Sequence, residues 1–267
     1  MDVKNENFRL QSKFWKKLQK NYNVGVFSLN YDDLILQALP NLFTGFDKES
    51  GAFLDRKVLL EHKWNFYYQL HGSVHFNMES IRGEMHSIRW KKELNSPYNQ
   101  NSSGRSSQDT QEGLHLPTSN IILGHEKITQ IQRQPFRSYF CRLNQAILET
   151  DYIMFIGYGF RDLHINNCFK LLHNKKCPIL IVSYKANEDN KDSIQFRNDD
   201  WTIGLFNTLQ LNVSSPKWSV PETVNELKNR KECEILNDPK QPVAIWYNGF
   251  KELCENKNYQ IVDDIFK

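Results

Sequence analysis

The run Tyr152-Ile153-Met154-Phe155-Ile156, closing in Gly157-Tyr158-Gly159-Phe160-Arg161-Asp162, decides the fold class. An apolar stretch with no polar alternation describes a strand covered on both faces, as in a parallel sheet flanked by helices. Glycine directly after such a strand lets the backbone turn sharply where the sheet ends. Working outward, Pro178 to Val182 is a second continuous apolar run, separated from the first by a helix near 162–173. Upstream, a helix from about Pro135 to Thr150 follows a candidate strand at Asn120-Ile121-Ile122-Leu123-Gly124. Earlier still, Phe66-Tyr67-Tyr68-Gln69-Leu70 reads as a strand that ends in His71-Gly72-Ser73. Val24-Gly25-Val26-Phe27 reads as another, followed by Ser28-Leu29-Asn30-Tyr31-Asp32. Asp32 or Asp33 then stands where a cap is needed for a helix from Leu34 to Leu39. Phe8, Phe14, Trp15, Leu18 and Tyr22 fall at near-helical spacing, so a helix leads the chain. The repeated strand, polar turn and helix predict an α/β fold, Rossmann-like and doubly wound, with a mainly parallel sheet flanked by helices.

Two segments stand outside this pattern. Residues 95–113 hold one large apolar side chain, Tyr98, and are expected to form a flexible insertion. Residues 215–241 carry Pro216, Pro221 and Pro239 among many charges, with Pro242 just beyond, and are expected to wrap the domain. A last helix is expected over Val243 to Cys254, with Trp246, Phe250 and Leu253 on one face. The α/β domain would thus occupy 1–215, with a helical C-terminal extension over 216–267 packed on it.

Composition narrows the function classes. The 267 residues include 39% hydrophobic and 24% charged residues, the balance of a globular chain with a sizeable core. Lysine and arginine number 34 against 31 acidic residues, a surplus too small to argue for a nucleic-acid partner. The basic run KFWKKLQK reads as the solvated face of an amphipathic helix. No stretch approaches the roughly 20 apolar residues of a membrane helix, and the first residues lack a signal-peptide core. A cytoplasmic protein with no membrane partner is expected. The five cysteines are scattered and form no C-x-x-C pair, so neither a disulfide framework nor a zinc module is indicated.

Ligands of open α/β sheets bind beyond the carboxyl ends of the strands. Three candidate strands here end in polar or glycine turns, and the fold would gather them along one edge of the sheet. An amide (Asn30), a carboxylate (Asp32), an imidazole (His71) and the glycines Gly157 and Gly159 would then share a crevice. Taken singly, each has a plainer reading. Asn30 and Asp32 suit an ordinary turn and cap, His71 suits a satisfied structural histidine, and Gly157 and Gly159 suit a tight turn. The combination, in this order, is what carries the signal.

The strings SLNYD, QLHGS and IGYGFRDLHIN, with NIILGHEKITQIQRQPFRSYF between the last two, resemble the sirtuin-like domains of bacterial anti-phage defence proteins. The separation of 41 residues from Asn30 to His71 is similar to that family, and the likeness spans roughly residues 8 to 185. The resemblance implies an NAD site, with NAD as substrate. It gives Asn30 the task of orienting the nicotinamide ribose and an attacking water, and Asp32 that of bonding the nicotinamide carboxamide. His71 would be the general base toward a ribose hydroxyl or water, with Gly72 and Ser73 beside the cofactor. Gly157 and Gly159 would admit the nucleotide to the backbone, Asp162 would cap the next helix near it, and Ser183 would face the adenosine ribose. The partners implied are NAD or ADP-ribose, together with further copies of the chain or a partner defence protein.

Two departures from the family qualify this. Protein-deacylating sirtuins carry four zinc-binding cysteines between the His-Gly-Ser and later glycine turns, where this chain has Cys141 alone. A zinc-free relative that cleaves NAD, rather than a peptide deacylase, is expected, with no metal. The family also opens with a Gly-Ala-Gly-x-Ser turn that cradles the pyrophosphate, and the one glycine upstream of Asn30 is Gly25. The sequence is read either as a fragment of a longer protein or as one that has lost its first strand and helix. An NAD-hydrolysing enzyme and a non-catalytic nucleotide-sensing or assembly module are both compatible with it.

Overall fold

A computed structural model describes residues 6–61, 63–79, 87–92, 106–109, 115–118, 121–122, 131–185, 199–211, 223–238 and 242–266. The chain divides into two compact units, Trp15–Leu143 and the pair of segments Met1–Phe14 and Asn144–Lys267.

The first unit is built on two parallel strands, β1 (Gly25–Ser28) and β2 (Phe66–Gln69), paired from Gly25↔Phe66 to Ser28↔Gln69. All four residues of β2 are buried, as an apolar run covered on both faces should be. Its aromatic side chains form the core. Phe66 stacks on Tyr68 at a centroid separation of 4.5 Å, and Tyr68 stacks on Tyr139 at 4.5 Å. The guanidinium of Arg142, a buried residue, lies over the rings of Phe66 and Trp64 at 5.4 and 5.6 Å. Cation–π attraction there replaces part of the lost hydration. Short helices α2 (Leu34–Ala38) and α3 (Asp55–Leu60) follow β1. Two antiparallel hairpins complete the unit: β3 (Phe76–Glu79) with β4 (Ser87–Trp90), and β5 (Ser106–Asp109) with β6 (His115–Thr118).

The second unit holds a four-stranded sheet of β7 (Ile153–Ile156), β8 (Ile179–Val182), β9 (Glu234–Asn237) and β10 (Pro242–Trp246), in the order β7-β8-β10-β9. β8 is parallel to both β7 and β10, whereas β9 runs antiparallel to β10. Every residue of β8 is buried. Helix α5 (Leu163–Phe169) continues into a 3₁₀ turn at Lys170–Asn174. Helix α6 (Asp200–Leu209) is capped by Asp199, whose side chain accepts the Thr202 N–H at 2.7 Å. Helix α7 (Val224–Arg230) opens with a reciprocal capping box between Thr223 and Glu226. Helices α8 (Gly249–Leu253) and α9 (Gln260–Ile265) end the chain, and Phe250 and Tyr259 take Phe14 edge-on at 5.1 and 5.6 Å. Phe14 belongs to α1 (Glu6–Asn21), and α4 (Phe136–Glu149) precedes β7.

The mixed α/β class with parallel strands is as the sequence predicts, and the strands expected near 24–27, 66–70, 152–156 and 178–182 all form. One element is corrected. The helix expected over Val243–Cys254 is instead strand β10, then a turn at Tyr247-Asn248, then α8. The spacing of Trp246, Phe250 and Leu253 imitates a helical face, but a short apolar run beside proline fits a buried strand equally well. Asn248-Gly249 is the turn signal that separates them, with Gly249 at φ +80°. The C-terminal region therefore supplies strands as well as helices. Within 95–113, the segment expected as a flexible insertion, Ser106–Asp109 is a strand, and the rest of that segment lies outside the described residues. Of the strand expected at 120–124, Ile121 and Ile122 are described, Ile121 bridging antiparallel to Gly72.

Two expected outcomes follow from the burial. Ile245 is fully buried in β10 between β8 and β9. Ile245→Ala should cost about 2–5 kcal/mol by urea denaturation, the range for deleting buried aliphatic groups. The second concerns alkaline pH. Burial pushes the thiols of Cys168 and Cys177 up to about 11 and those of Cys233 and Cys254 up to about 12, from an ordinary 9.0. The folded state thus retains protons that the unfolded chain releases, so this contribution is complete below about pH 9. Urea midpoints should fall as pH rises from 9 through 11 to 12.

Candidate functional site

The sequence-predicted residues of the first unit gather at one end of its parallel strand pair. Because β1 and β2 pair in register, the chain leaves both strands at the same carboxyl end. β1 ends at Ser28, whose Oγ accepts the Asn30 N–H at 3.1 Å. Asn30 is exposed. Asp32 is half-buried, and its Oδ1 accepts the Leu34 N–H at 3.1 Å, steering the chain into α2. Asp33, at the N-cap position itself, makes no capping bond. Its carboxylate instead accepts from Gln37 Nε2 at 2.7 Å and lies 3.4 Å from His75 Nε2.

After β2 come His71, Gly72 and Ser73, all buried. The His71 carbonyl accepts the Ile122 N–H at 2.7 Å. Gly72 has φ +108°, a conformation that side chains oppose, so this turn needs glycine. Ser73 Oγ accepts the His75 N–H at 3.2 Å and its carbonyl accepts the Phe76 N–H at 3.0 Å. The two turns are tied directly, since Val74 N–H donates to the Tyr31 carbonyl at 2.9 Å. Asn30, Asp32, His71, Gly72 and Ser73 thus occupy two linked turns.

Beneath them lies a set of supports that sequence reasoning missed. Gln69 Nε2 donates to the carbonyls of Asn30 and Asp32 at 3.2 and 2.8 Å, and Tyr67 OH donates to the Asp32 carbonyl at 3.2 Å. Burial, with the Asp32 and Asp33 charges adding to it, holds the Tyr67 hydroxyl far above the usual phenol range, so it stays a donor. His75 stacks on Trp90 at 4.4 Å, and its Nδ1 faces the Lys91 carbonyl at 2.8 Å, which requires a proton on that nitrogen. The signal for Gln69 is a lone polar residue at the end of an otherwise aromatic strand.

In the second unit the glycine turn leaves β7. Gly157 has φ +64° and donates its N–H to the Val182 carbonyl at 2.9 Å. Among the described residues, nothing lies within 4 Å of where a Cβ would stand on Gly157 or Gly159. Phe160 also has positive φ, +55°, which its neighbours enforce. Asn166 Nδ2 donates to the Phe160 carbonyl at 2.8 Å, Asn166 Oδ1 accepts from Tyr158 OH at 2.6 Å, and Trp201 Nε1 donates to the Tyr158 carbonyl at 3.2 Å. Asp162 stands at the N-cap position of α5, yet its side chain makes no capping bond, correcting that part of its expected role. Its carbonyl accepts from Ile165 and Asn166 at 3.0 and 2.9 Å. Ser183, directly after β8, donates its N–H to the Trp246 carbonyl at 2.8 Å and accepts the Gly249 N–H at 2.9 Å.

Parallel strands that end in polar and glycine turns are the layout of α/β ligand-binding proteins. The family model described as SIR2-like domain matches residues 24–199, more than half of the chain, and the chain belongs to that family. SIR2-like domains bind NAD. Neither the curated proteins nor the solved structures contain a match to the chain. Among the described residues, no helix is long and apolar enough to cross a membrane.

The glycine turn makes a prediction whose sign opposes the ordinary rule. Exchanging a helical glycine for alanine usually stabilises by roughly 0.5–1 kcal/mol. Gly204 lies inside α6, but a Cβ there would stand 2.6 Å from the Phe160 carbonyl oxygen. Gly204→Ala should therefore lower the melting temperature, which thermal unfolding followed by circular dichroism would show.

Proposed function

We propose that the chain is an NAD-hydrolysing domain, releasing nicotinamide and ADP-ribose, and that it serves as an anti-phage effector by depleting the cofactor. The observation that carries the reading is the linkage of the Asn30–Asp32 loop to the His71–Ser73 turn at the carboxyl ends of β1 and β2. The reading takes the fold as a doubly wound Rossmann-like sheet acting in the cytoplasm. It also includes assembly with further copies of the chain or a partner defence protein.

In this reaction water attacks the ribose carbon that bears nicotinamide. The glycosidic carbon–nitrogen bond breaks, and its electron pair passes to the pyridinium nitrogen, so nicotinamide leaves neutral and needs no acid. The water proton goes to the base, for which His71 is the candidate. The barrier lies in the oxocarbenium-like ribose, as in other glycosidic cleavages. Asn30 would fix the ribose and the water, which lowers that barrier by orientation. Asp32 would hold the carboxamide, with Gly72 and Ser73 lining the turn. Gly157, Gly159, Asp162 and Ser183 are the further nucleotide-binding candidates, supported by the absence of any described residue within 4 Å of a Cβ position on either glycine.

Incubation with NAD should yield nicotinamide and ADP-ribose in equal amounts. His71→Ala and Asn30→Ala should each lower kcat by about a hundredfold or more. Equal rates for the wild type and Asn30→Ala would remove the idea. Calorimetric binding of NAD or ADP-ribose without turnover would indicate a non-catalytic nucleotide-sensing or assembly module instead.

A further inference from the structure

Gln69 is the one polar residue of β2 and is almost fully buried, with 2% exposure. Its environment dictates its orientation. The two groups nearest its amide are carbonyl oxygens, those of Asn30 and Asp32, so the NH₂ must face them. Among the described residues its Oε1 has no hydrogen-bond partner, and the bonds that orient the amide are the two it donates. A buried polar group is costly unless bonded, and a strand interior would take leucine or valine at no such cost. What the amide supplies is a brace across the loop. One side chain holds two carbonyls two residues apart, on either side of Tyr31, whose own carbonyl takes the Val74 N–H. All three carbonyls of Asn30-Tyr31-Asp32 are thereby held by donors from β2 or from the turn that follows it.

We propose that Gln69 is a positioning residue for the NAD reaction, acting through the backbone of Asn30 and Asp32. The proposal rests on the function given above. Gln69 touches no reacting atom. It sets where the Asn30 amide and the Asp32 carboxylate point, and two bonds to carbonyls two residues apart leave that segment little freedom. Hydrolysis is sensitive to such orientation, because a misplacement of about 1 Å can cost on the order of a hundredfold in rate.

Two variants test it. Gln69→Met keeps an unbranched side chain of similar length and removes both donors. Gln69→Glu sets a carboxylate against two carbonyl oxygens near neutral pH, whereas its protonated form can donate one bond. The expected results are a kcat lowered by about a hundredfold in Gln69→Met, with KM for NAD changed by less. Gln69→Glu should be as impaired at pH 8 and recover in part toward pH 5, relative to the wild type and to Gln69→Met at each pH. Hydrogen exchange should quicken at the amides of residues 30–34 in Gln69→Met while those of Tyr67 and Tyr68 hold. A general structural role would speed exchange across β1 and β2 together and leave the pH ratio of the two variants flat, and that result would overturn the proposal. So would variants as active as an active wild type. A wild-type chain that neither binds nor cleaves NAD would remove the underlying reading, and the positioning role with it.

Discussion

Parallel strands buried on both faces govern the rest of this molecule. In β2 and β8 every residue is buried, so an apolar side chain is favoured on either face and a polar one is costly unless bonded. Polar chemistry is displaced to the strand ends, where the chain emerges at His71 after β2 and at Ser183 after β8. The turns that leave the strands are held by backbone hydrogen bonds as well as by the side chains beneath them. Val74 donating to Tyr31, Gly157 to Val182, and Gly249 to Ser183 are three instances of one device. Each pins a turn to a neighbouring strand end or turn through the main chain.

The aromatic content of the first unit follows from the same constraint. With only two strands in the β1–β2 pair, wide side chains are needed to cover the faces, and Phe66, Tyr67 and Tyr68 supply them in succession. Tyr139 and Arg142 reach that stack from α4, so a helix closes what the narrow sheet leaves open. An arginine in such a place is tolerable because two ring faces receive its charge.

Much of this was legible in the residues. Uninterrupted apolar runs announce β7 and β8, an aromatic run announces β2, and their glycine or polar endings announce the turns. β10 was misread because Val243 to Trp246 is too short to display a period, while Trp246, Phe250 and Leu253 supply a false one. The hairpin β3–β4 pairs Phe76 with Trp90, a partnership of residues far apart in the chain that no local pattern expresses. In the candidate site, Asn30, Asp32 and His71 could be picked out because their residue types carry chemistry. Gln69, Asn166 and Gly204 could not, since their importance lies in which carbonyl they meet. Asp162 shows the reverse error: a residue type suited to capping occupies the N-cap position and leaves the bond unmade.

The strand order β7-β8-β10-β9 places a late segment in the interior of the second sheet. β8 ends at Val182, and its second neighbour, β10, begins only at Pro242, beyond the stretch matched to the SIR2-like domain. During synthesis, β8 therefore emerges with one edge bare and waits some sixty residues for its partner. Non-local pairing of this kind slows folding and leaves an apolar edge open to wrong partners meanwhile. A ribosome stalled before residue 246 would hold a chain whose second unit cannot close, and this nascent form, more than the finished protein, is the one that chaperones would be called on to shield.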